Sequence, residues 1–181
     1  RDAPEEFEGA VREFIDAFPA RIDQYESLLT KNNIFLDRTK EIGILTKEQA
    51  LDWGMTGPAI RGSGVEYDIR KVSPYSGYEN YDFDIPTQTD GDVYARYQVR
   101  MAELRESLKI IRQALDKLPS GPVSSNNRKF VPPPREELGK SMEAVIHHFK
   151  LWTEGFNAPK ASIYMPVESP RGELGLYLEG D

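Results

Sequence analysis

Arg61, Arg70, Arg96 and Arg171 accompany a run of tyrosines, Tyr67, Tyr75, Tyr78, Tyr81, Tyr94 and Tyr97. A guanidinium pairs bidentately with carboxylates and stacks on aromatic faces. These residue types in this density therefore predict a polar, half-buried network. Such a network specifies a single arrangement only when every member is satisfied. The stretch from Gly57 to Pro86, GPAIRGSGVEYDIRKVSPYSGYENYDFDIP, is too polar for an ordinary core and too aromatic for a disordered linker. It is expected at an interface, not on a free surface.

Three other constellations invite chemistry. Asp82 and Asp84 flank Phe83 in YDFDIP, and in an extended segment alternate residues point to one side. Paired carboxylates of this kind can hold a metal or share a proton. The plainer expectation is a solvated edge, or partners for Arg61 and Arg70, since no nucleophile or base is arranged around them. Gly62-Ser63-Gly64 after Arg61 suggests a phosphate loop, but neither GxGxxG nor GxxxxGK[ST] is present and no strand–loop–helix context surrounds it. Those glycines are expected to permit close backbone approach. His147 and His148 lie about 100° apart on a helix, so they do not chelate one metal as an i, i+4 pair does. His147 falls opposite the apolar stripe of its helix and His148 at the stripe's margin. Structural or interface use is the expectation, with a general acid–base role as the alternative.

Composition narrows the classes further. The 181 residues fit one domain, with 39% hydrophobic and 29% charged residues and a net charge of −7. That balance argues against a duplex nucleic-acid partner and against electrostatic adhesion to anionic lipid. With no cysteine and only two histidines, neither a thiolate-held cluster nor a histidine metal centre is expected from this segment. No apolar run approaches the roughly 18 residues of a membrane span. The chain opens on Arg1, not on methionine, and it closes on Asp181 after a strand-like run. It therefore reads as a piece of something larger.

The elements that must position these residues are mainly helical. Phe7, Val11, Phe14, Phe18, Ile22, Tyr25 and Leu29 recur at steps of three or four and predict an amphipathic helix. Pro19 either kinks it or divides it. Thr46 and Gln49 have capping-box spacing for a short helix ended by Gly54 and then Gly57-Pro58. Irregular structure is expected over 57–90. Asp90 or Asp92 then caps a long helix whose seam is Tyr94, Tyr97, Met101, Leu104, Leu108, Ile111, Leu115 and Leu118. A linker over 120–134 leads to a helix from about Arg135 to Glu154, with Leu138, Met142, Val145, Phe149 and Trp152 inward. SIYMPVES and ELGLYLE then flank Pro170-Arg171-Gly172 as a β-hairpin within 156–181. The fold class is mainly α with a small α+β part, organised as 1–56 helical, 57–90 irregular, 91–155 a helix pair and 156–181 a hairpin.

GPAIRGSGVEYDIRKVSPYSGY, YDFDIPTQTDGDVYARY, MEAVIHHFKLWTEG and VESPRGELGLYL, taken in that order, resemble the D-type subunit family of bacterial NADH–quinone oxidoreductase, a core peripheral-arm subunit of respiratory complex I. The likeness covers essentially the whole chain, including the opening RDAPEEF and the helix RESLKIIRQALDKLP. The resemblance implies a scaffold like that of the large subunit of nickel–iron hydrogenases. In it, Glu168-Ser-Pro-Arg-Gly172 is similar to a Glu-Ala-Pro-Arg-Gly loop lining a buried cavity. It also implies a parent complex that passes electrons from NADH through FMN and iron–sulfur clusters to quinone, coupled to proton translocation. The subunit would lie peripherally on the cytoplasmic face of the bacterial inner membrane, beside the component carrying the terminal cluster and beside the membrane arm.

The family's quinone-facing histidine and tyrosine fall before Arg1, so the resemblance implies no catalytic residue, no metal ligand and no cofactor bound by this segment itself. The cavity or interface candidates are Arg61, Asp68, Arg70, Tyr75, Asp92, Arg96, His148, Glu168 and Arg171. GDVYARY departs from the family's Gly-Asp-x-Tyr-Asp-Arg-Tyr, with Ala95 replacing an acid, which leaves Arg96 to another partner. Two alternatives differ in class: a non-redox assembly or interaction protein of hydrogenase-like fold, and a subunit of a membrane-bound hydrogenase-type complex.

Overall fold

The computed structural model describes residues 3–122, 125–155, 157 and 159–180. In chain order the elements are α1 (Phe7–Leu29), α2 (Asn33–Thr39), α3 (Lys47–Asp52), α4 (Gly57–Arg61), α5 (Ile69–Val72), a 3-10 turn (Tyr78–Asn80), α6 (Val93–Asp116), α7 (Met142–Thr153), β1 (Ala161–Ser169) and β2 (Gly172–Gly180). The two strands pair with each other as a hairpin. The mainly α reading with a small β part holds. The chain divides into two compact units, Pro4–Leu118 with Tyr164–Leu176, and, among the described residues, Pro119–Ile163 with Ala3 and 177–180.

In the larger unit α1 and α6 form the core. Ile15 and Ile22 of α1 bury against Met101, Leu108 and Leu115 of α6, with Val11, Phe18, Tyr97, Leu104 and Ile111 packed around them. Both sets repeat every seven residues, the spacing that keeps one seam of a helix facing its partner. The helices run antiparallel, as their flanking ion pairs require: Arg12–Asp116 at 2.9 Å, Arg112–Asp16 at 2.7 Å and Arg105–Glu26 at 2.8 Å. These charges are exposed enough that each pair adds at most about 1 kcal/mol. They fix register more than stability.

This packing corrects the α1 stripe. Phe7, Phe14, Tyr25 and Leu29 are exposed, whereas Ile15, absent from the expected stripe, is buried. The partner seam on α6 selects the Ile15–Ile22 row, and Phe14 instead stacks on Phe18 along its edge. Pro19 lies inside one continuous helix and does not divide it. On α6 the seam holds to Leu115, but Leu118 lies beyond the last helical residue and is exposed.

Caps follow the sequence closely. Thr46 and Gln49 make the reciprocal capping box of α3, and Asp92, not Asp90, caps α6. The 57–90 stretch is more regular than expected, since it contains α4, α5 and the 3-10 turn. Gly57-Pro58 opens α4 and does not merely end α3. Pro58 sits in the first turn, where its missing N–H costs nothing and its φ is preset.

In the smaller unit α7 begins at Met142, not near residue 135. Ser141 caps it, its hydroxyl accepting from the Ala144 amide at 3.2 Å, and residues 134–141 form turns before it. Its orientation also differs from expectation. Ala144 is buried and His147 and His148 are half-buried, while Met142, Val145, Phe149 and Trp152 are exposed. The linker is not simply extended, because the amides of Phe130 and Val131 donate to the Asn127 carbonyl. Val123 and Ser124 of that linker, and Phe156, Ala158 and Asp181 of the 156–181 segment, lie outside the described residues, as do Arg1 and Asp2.

Candidate functional site

The hairpin turn is brought to α4 at two positions that favour glycine. Gly57 has φ +66° and Gly172 has φ +133°. A Cβ on Gly57 would collide with the Gly172 backbone, and one on Gly172 would stand 2.7 Å from the Thr56 hydroxyl. Backbone approaches backbone here, and the Glu173 amide then donates to Thr56 Oγ1 at 2.8 Å. On the neighbouring strand the Glu168 amide donates to the Tyr75 hydroxyl at 2.9 Å. The motif Glu168–Gly172 is thereby held against α4 and the Tyr75 loop.

Arg61, the last residue of α4, is the hub. It is 1% exposed, an unusual burial for an arginine, and its fork is almost fully used. Nε donates to Glu103 Oε1 at 2.7 Å, Nη1 to the Tyr67 carbonyl at 2.9 Å, and Nη2 to Glu168 Oε1 at 2.8 Å. Nη2 also lies 2.6 Å from Glu103 Oε1, and Asp68 stands at 3.7 Å. One side chain thus joins α4, α6, the 65–68 loop and the hairpin. Charge-assisted bonds at these lengths are the strong class of protein hydrogen bond.

Asp68 caps α5 and is itself 1% exposed. It accepts from the Arg70 amide at 2.9 Å, from Arg70 Nε at 2.9 Å and from Arg70 Nη2 at 2.6 Å. Burial pushes its carboxyl upward, but the Arg70 guanidinium and amide outweigh that and hold it below the ordinary carboxylate range. Arg70 also lies 4.9 Å from the centre of the buried Phe83 ring and 5.7 Å from that of Tyr78. The expected weave of arginine, carboxylate and aromatic ring is present at this point. Burial likewise pushes the Tyr67 and Tyr75 hydroxyls up.

Glu103 differs from Asp68 in sign. Burial pushes its carboxyl up, Glu168 adds to that, and Arg61 offsets it only in part. Beside it lies a pocket of about 380 Å³ lined by Arg61, Arg70, Arg100, Glu103, Ser107, Glu168 and neighbouring residues. Glu168 Oε2 is buried and has no hydrogen-bond partner among the described residues. Glu103 is the member that sequence reading missed. The signal was a second stripe on α6, where the buried Ala95 and Val99 precede Glu103 at steps of four. The acid comes next on that face, beyond the point where a Cβ on Gly62, just after α4, would stand 2.9 Å from the Arg96 side chain.

The remaining candidates separate from this cluster. Asp92 serves the backbone: Oδ1 accepts from the Ala95 amide at 2.7 Å and Oδ2 from the Glu41 amide at 2.8 Å. Arg96 donates to the carbonyls of Gly91 at 2.8 Å and Gly43 at 2.9 Å, a pair of main-chain partners in place of a carboxylate. Burial holds its pKa below the usual guanidinium range. Arg171 is exposed in the hairpin turn, its amide donating to Ser169 Oγ at 3.3 Å. His148 lies in the smaller unit, 6.1 Å from the Trp152 ring centre to centre. There, too, the buried Nε2 of His147 has no partner among the described residues. That corrects the expectation that His147 points away from its helix's packed side.

Asp82 and Asp84 are not the partners of Arg61 and Arg70. The Asp82 amide donates to Gln113 Oε1 at 2.8 Å, and Asp84 stands 3.6 Å from Lys109 on the surface. Glu103 and Glu168, arriving from α6 and β1, occupy the Arg61 fork instead. Among the described residues, no group of three or more His, Cys, Asp or Glu side chains has the arrangement of a metal site. No helix there is long and apolar enough to cross a membrane.

Comparison with known proteins bears on all 181 residues. The family described as respiratory-chain NADH dehydrogenase, 49 Kd subunit, matches residues 1–181. The D-type subunit of the NADH-quinone oxidoreductase of Geotalea uraniireducens is 52% identical over 181 residues, covering 100% of this chain and 46% of that relative. Its counterpart of the same name in Thermus thermophilus is 52% identical over 180 residues, covering 99% of this chain and 44% of the relative. That of Rhodospirillum rubrum is 51% identical over 181 residues, 100% of this chain and 46% of the relative. The chain therefore spans somewhat under half the length of the curated relatives it matches.

Proposed function

Because the chain belongs to the family of the respiratory-chain NADH dehydrogenase 49 Kd subunit, we propose that it is part of a core subunit of an NADH–quinone oxidoreductase. In that assembly electrons pass from NADH through FMN and iron–sulfur clusters to quinone, coupled to proton translocation. We assign none of those cofactors to this segment. Its part is to shape a wall of the quinone cavity and to dock neighbouring subunits, among them the carrier of the terminal cluster and the membrane arm. The assembly would hold it peripherally on the cytoplasmic face of the inner membrane.

The observation that supports this reading is the clamp on the Glu168–Gly172 turn. Arg61 and Tyr75 fix Glu168, and the Gly57–Gly172 contact fixes the other end of the turn. A turn held rigidly at both ends presents Arg171 from a fixed base, with its guanidinium left to the surroundings. Rigid scaffolding with an exposed polar tip is the common design of cavity-lining loops. The exposed Met142, Phe149 and Trp152 of α7 fit contact with other components.

The test is Arg171→Lys in the assembled enzyme. Lysine keeps the charge and loses the planar fork. Quinone-linked NADH oxidation should fall about tenfold, the loss of one charged hydrogen bond, with assembly and the melting temperature of the subunit unchanged. Wild-type turnover with normal assembly would count against a cavity role for this side chain. The non-redox alternative predicts that turnover is indifferent to every residue of the turn.

A further inference from the structure

Within the buried cluster, charges do not balance. Asp68 is committed to Arg70 through three hydrogen bonds. That leaves Arg61 alone between Glu103 and Glu168, and both carboxylates reach the same nitrogen: Nη2 is 2.6 Å from Glu103 Oε1 and 2.8 Å from Glu168 Oε1. The Glu168 side chain is 6% exposed, and its Oε2 is buried without a donor among the described residues. An ionised carboxylate oxygen out of water and unbonded is among the costlier arrangements a fold can contain. Two carboxylates that share one site and cannot both be compensated resolve the conflict by taking up a proton.

The surroundings add little positive charge. From α4 comes Arg61, already used, and from α5 Arg70, taken by Asp68. α6 offers Arg100, which stands in solvent at the pocket's edge, and Ser107, whose hydroxyl donates to the Glu103 carbonyl at 2.8 Å. Tyr75 receives the Glu168 amide. The Tyr67 hydroxyl feels the negative charge of both Glu168 and Glu173 of β2, the latter a further acid. The pocket of about 380 Å³ beside Glu103 and Glu168 has room for water.

We infer that Glu103 and Glu168 form a proton-holding pair, sharing one proton at neutral pH between two carboxyls clamped by Arg61 and exchanging it through the adjoining pocket. The uptake is simple in balance: one proton from solvent binds one carboxylate oxygen, and the cluster passes from a net single negative charge to neutrality. The pair titrates as a unit with apparent pKa values that belong to neither residue alone. The pair is built from this chain's own side chains and does not depend on the redox reading. A raised titration with turnover indifferent to Arg171→Lys would sink that reading and leave the proton-holding pair in place.

The measurement is a pH titration of the chain labelled with ¹³C at the glutamate side-chain carboxyl carbons, read by NMR. The wild type should show glutamate resonances with a midpoint near or above neutrality, well clear of the ordinary glutamate value of about 4.3. Glu168→Gln and Glu103→Gln should each abolish that transition and return the surviving partner to a lower midpoint. Glutamine keeps the carbonyl that accepts from Arg61, so both variants retain the clamp. If every glutamate of the folded wild type is ionised by about pH 6, well below that expected midpoint, the inference is overturned without recourse to a variant. It is equally overturned if the high transition survives in either folded glutamine variant.

Discussion

Replacing Arg61 with methionine removes the one cation that reaches α4, α6, the 65–68 loop and the hairpin together. Methionine keeps the length and apolar stem, so the loss is mainly electrostatic. Glu168 is left nearly buried with both oxygens unpaired, Glu103 is left mostly buried, and the Tyr67 carbonyl loses its donor. Removing one partner of a buried pair costs about 3–5 kcal/mol. A second route to the magnitude gives the same range. The stranded carboxyls escape their penalty by protonation, and protonating one glutamate of ordinary pKa at pH 7 costs about 3.7 kcal/mol. At pH 5 the same step costs about 1 kcal/mol. In the variant these carboxyls have folded pKa values raised above the unfolded ones, so their protonated form contributes stability that is present at low pH and lost as pH rises.

The variant should therefore be about 3–5 kcal/mol less stable than wild type at pH 7. The deficit should shrink by about 2–3 kcal/mol on going to pH 5. Urea unfolding followed by tryptophan fluorescence and by circular dichroism, at several pH values, measures both. A melting temperature lowered by about 10 °C at pH 7 would accompany it. A deficit under about 1 kcal/mol, or one of the same size at pH 7 and pH 5, would refute the reasoning. The first result would mean that water replaces the guanidinium at no cost. The second would mean that the loss is one of packing and not of charge.

Other perturbations probe the supports one at a time. Gly57→Ala meets a positive φ and the Gly172 backbone at once. It should cost more than about 1 kcal/mol and raise amide exchange at Glu173, whose bond to Thr56 depends on that approach. Asp92→Ala removes the α6 cap and the acceptor for the Glu41 amide. The expected loss is about 2 kcal/mol, read from urea midpoints, with unchanged stability as the contrary result. Asp68→Asn addresses the acid limb. Asp68 has a depressed folded pKa, so its stabilisation is present above the unfolded carboxylate value of about 3.9 and is lost as pH falls below it. The wild type should lose stability through that window more steeply than the variant, and parallel curves would remove Asp68 from the account.

Local signals were legible in the sequence because they act over one helical turn. Thr46 with Gln49, Asp92 before α6, and the turn between the hairpin strands each depend on neighbours in the chain. The seven-residue seam of α6 could be read for the same reason, as its spacing encodes a face without naming what covers it. What covers it was less accessible. The aromatic row of α1 is as apolar as the Ile15–Ile22 row, and only the seam opposite decides between them. The exposed apolar face of α7 marks the same limit: periodicity located a stripe, and burial went to Ala144 and the histidines.

The candidate site was half legible, for a reason that bears on its chemistry. Arg61, Asp68, Arg70, Tyr75 and Glu168 carry the residue types of a buried polar network, and they do converge. The pairing within it did not follow from proximity in sequence. Asp82 and Asp84 are 21 and 23 positions from Arg61 by the chain's numbering, yet Glu103 and Glu168, at separations of 42 and 107, take its fork. Long-range ion pairs are chosen by helix packing, and here the end of α4 comes so close to α6 that a Cβ on Gly62 would stand 2.9 Å from the Arg96 side chain. The same packing leaves Arg61 1% exposed, and burial there pushes the Glu103 carboxyl up, which a surface acid beside one arginine would not show.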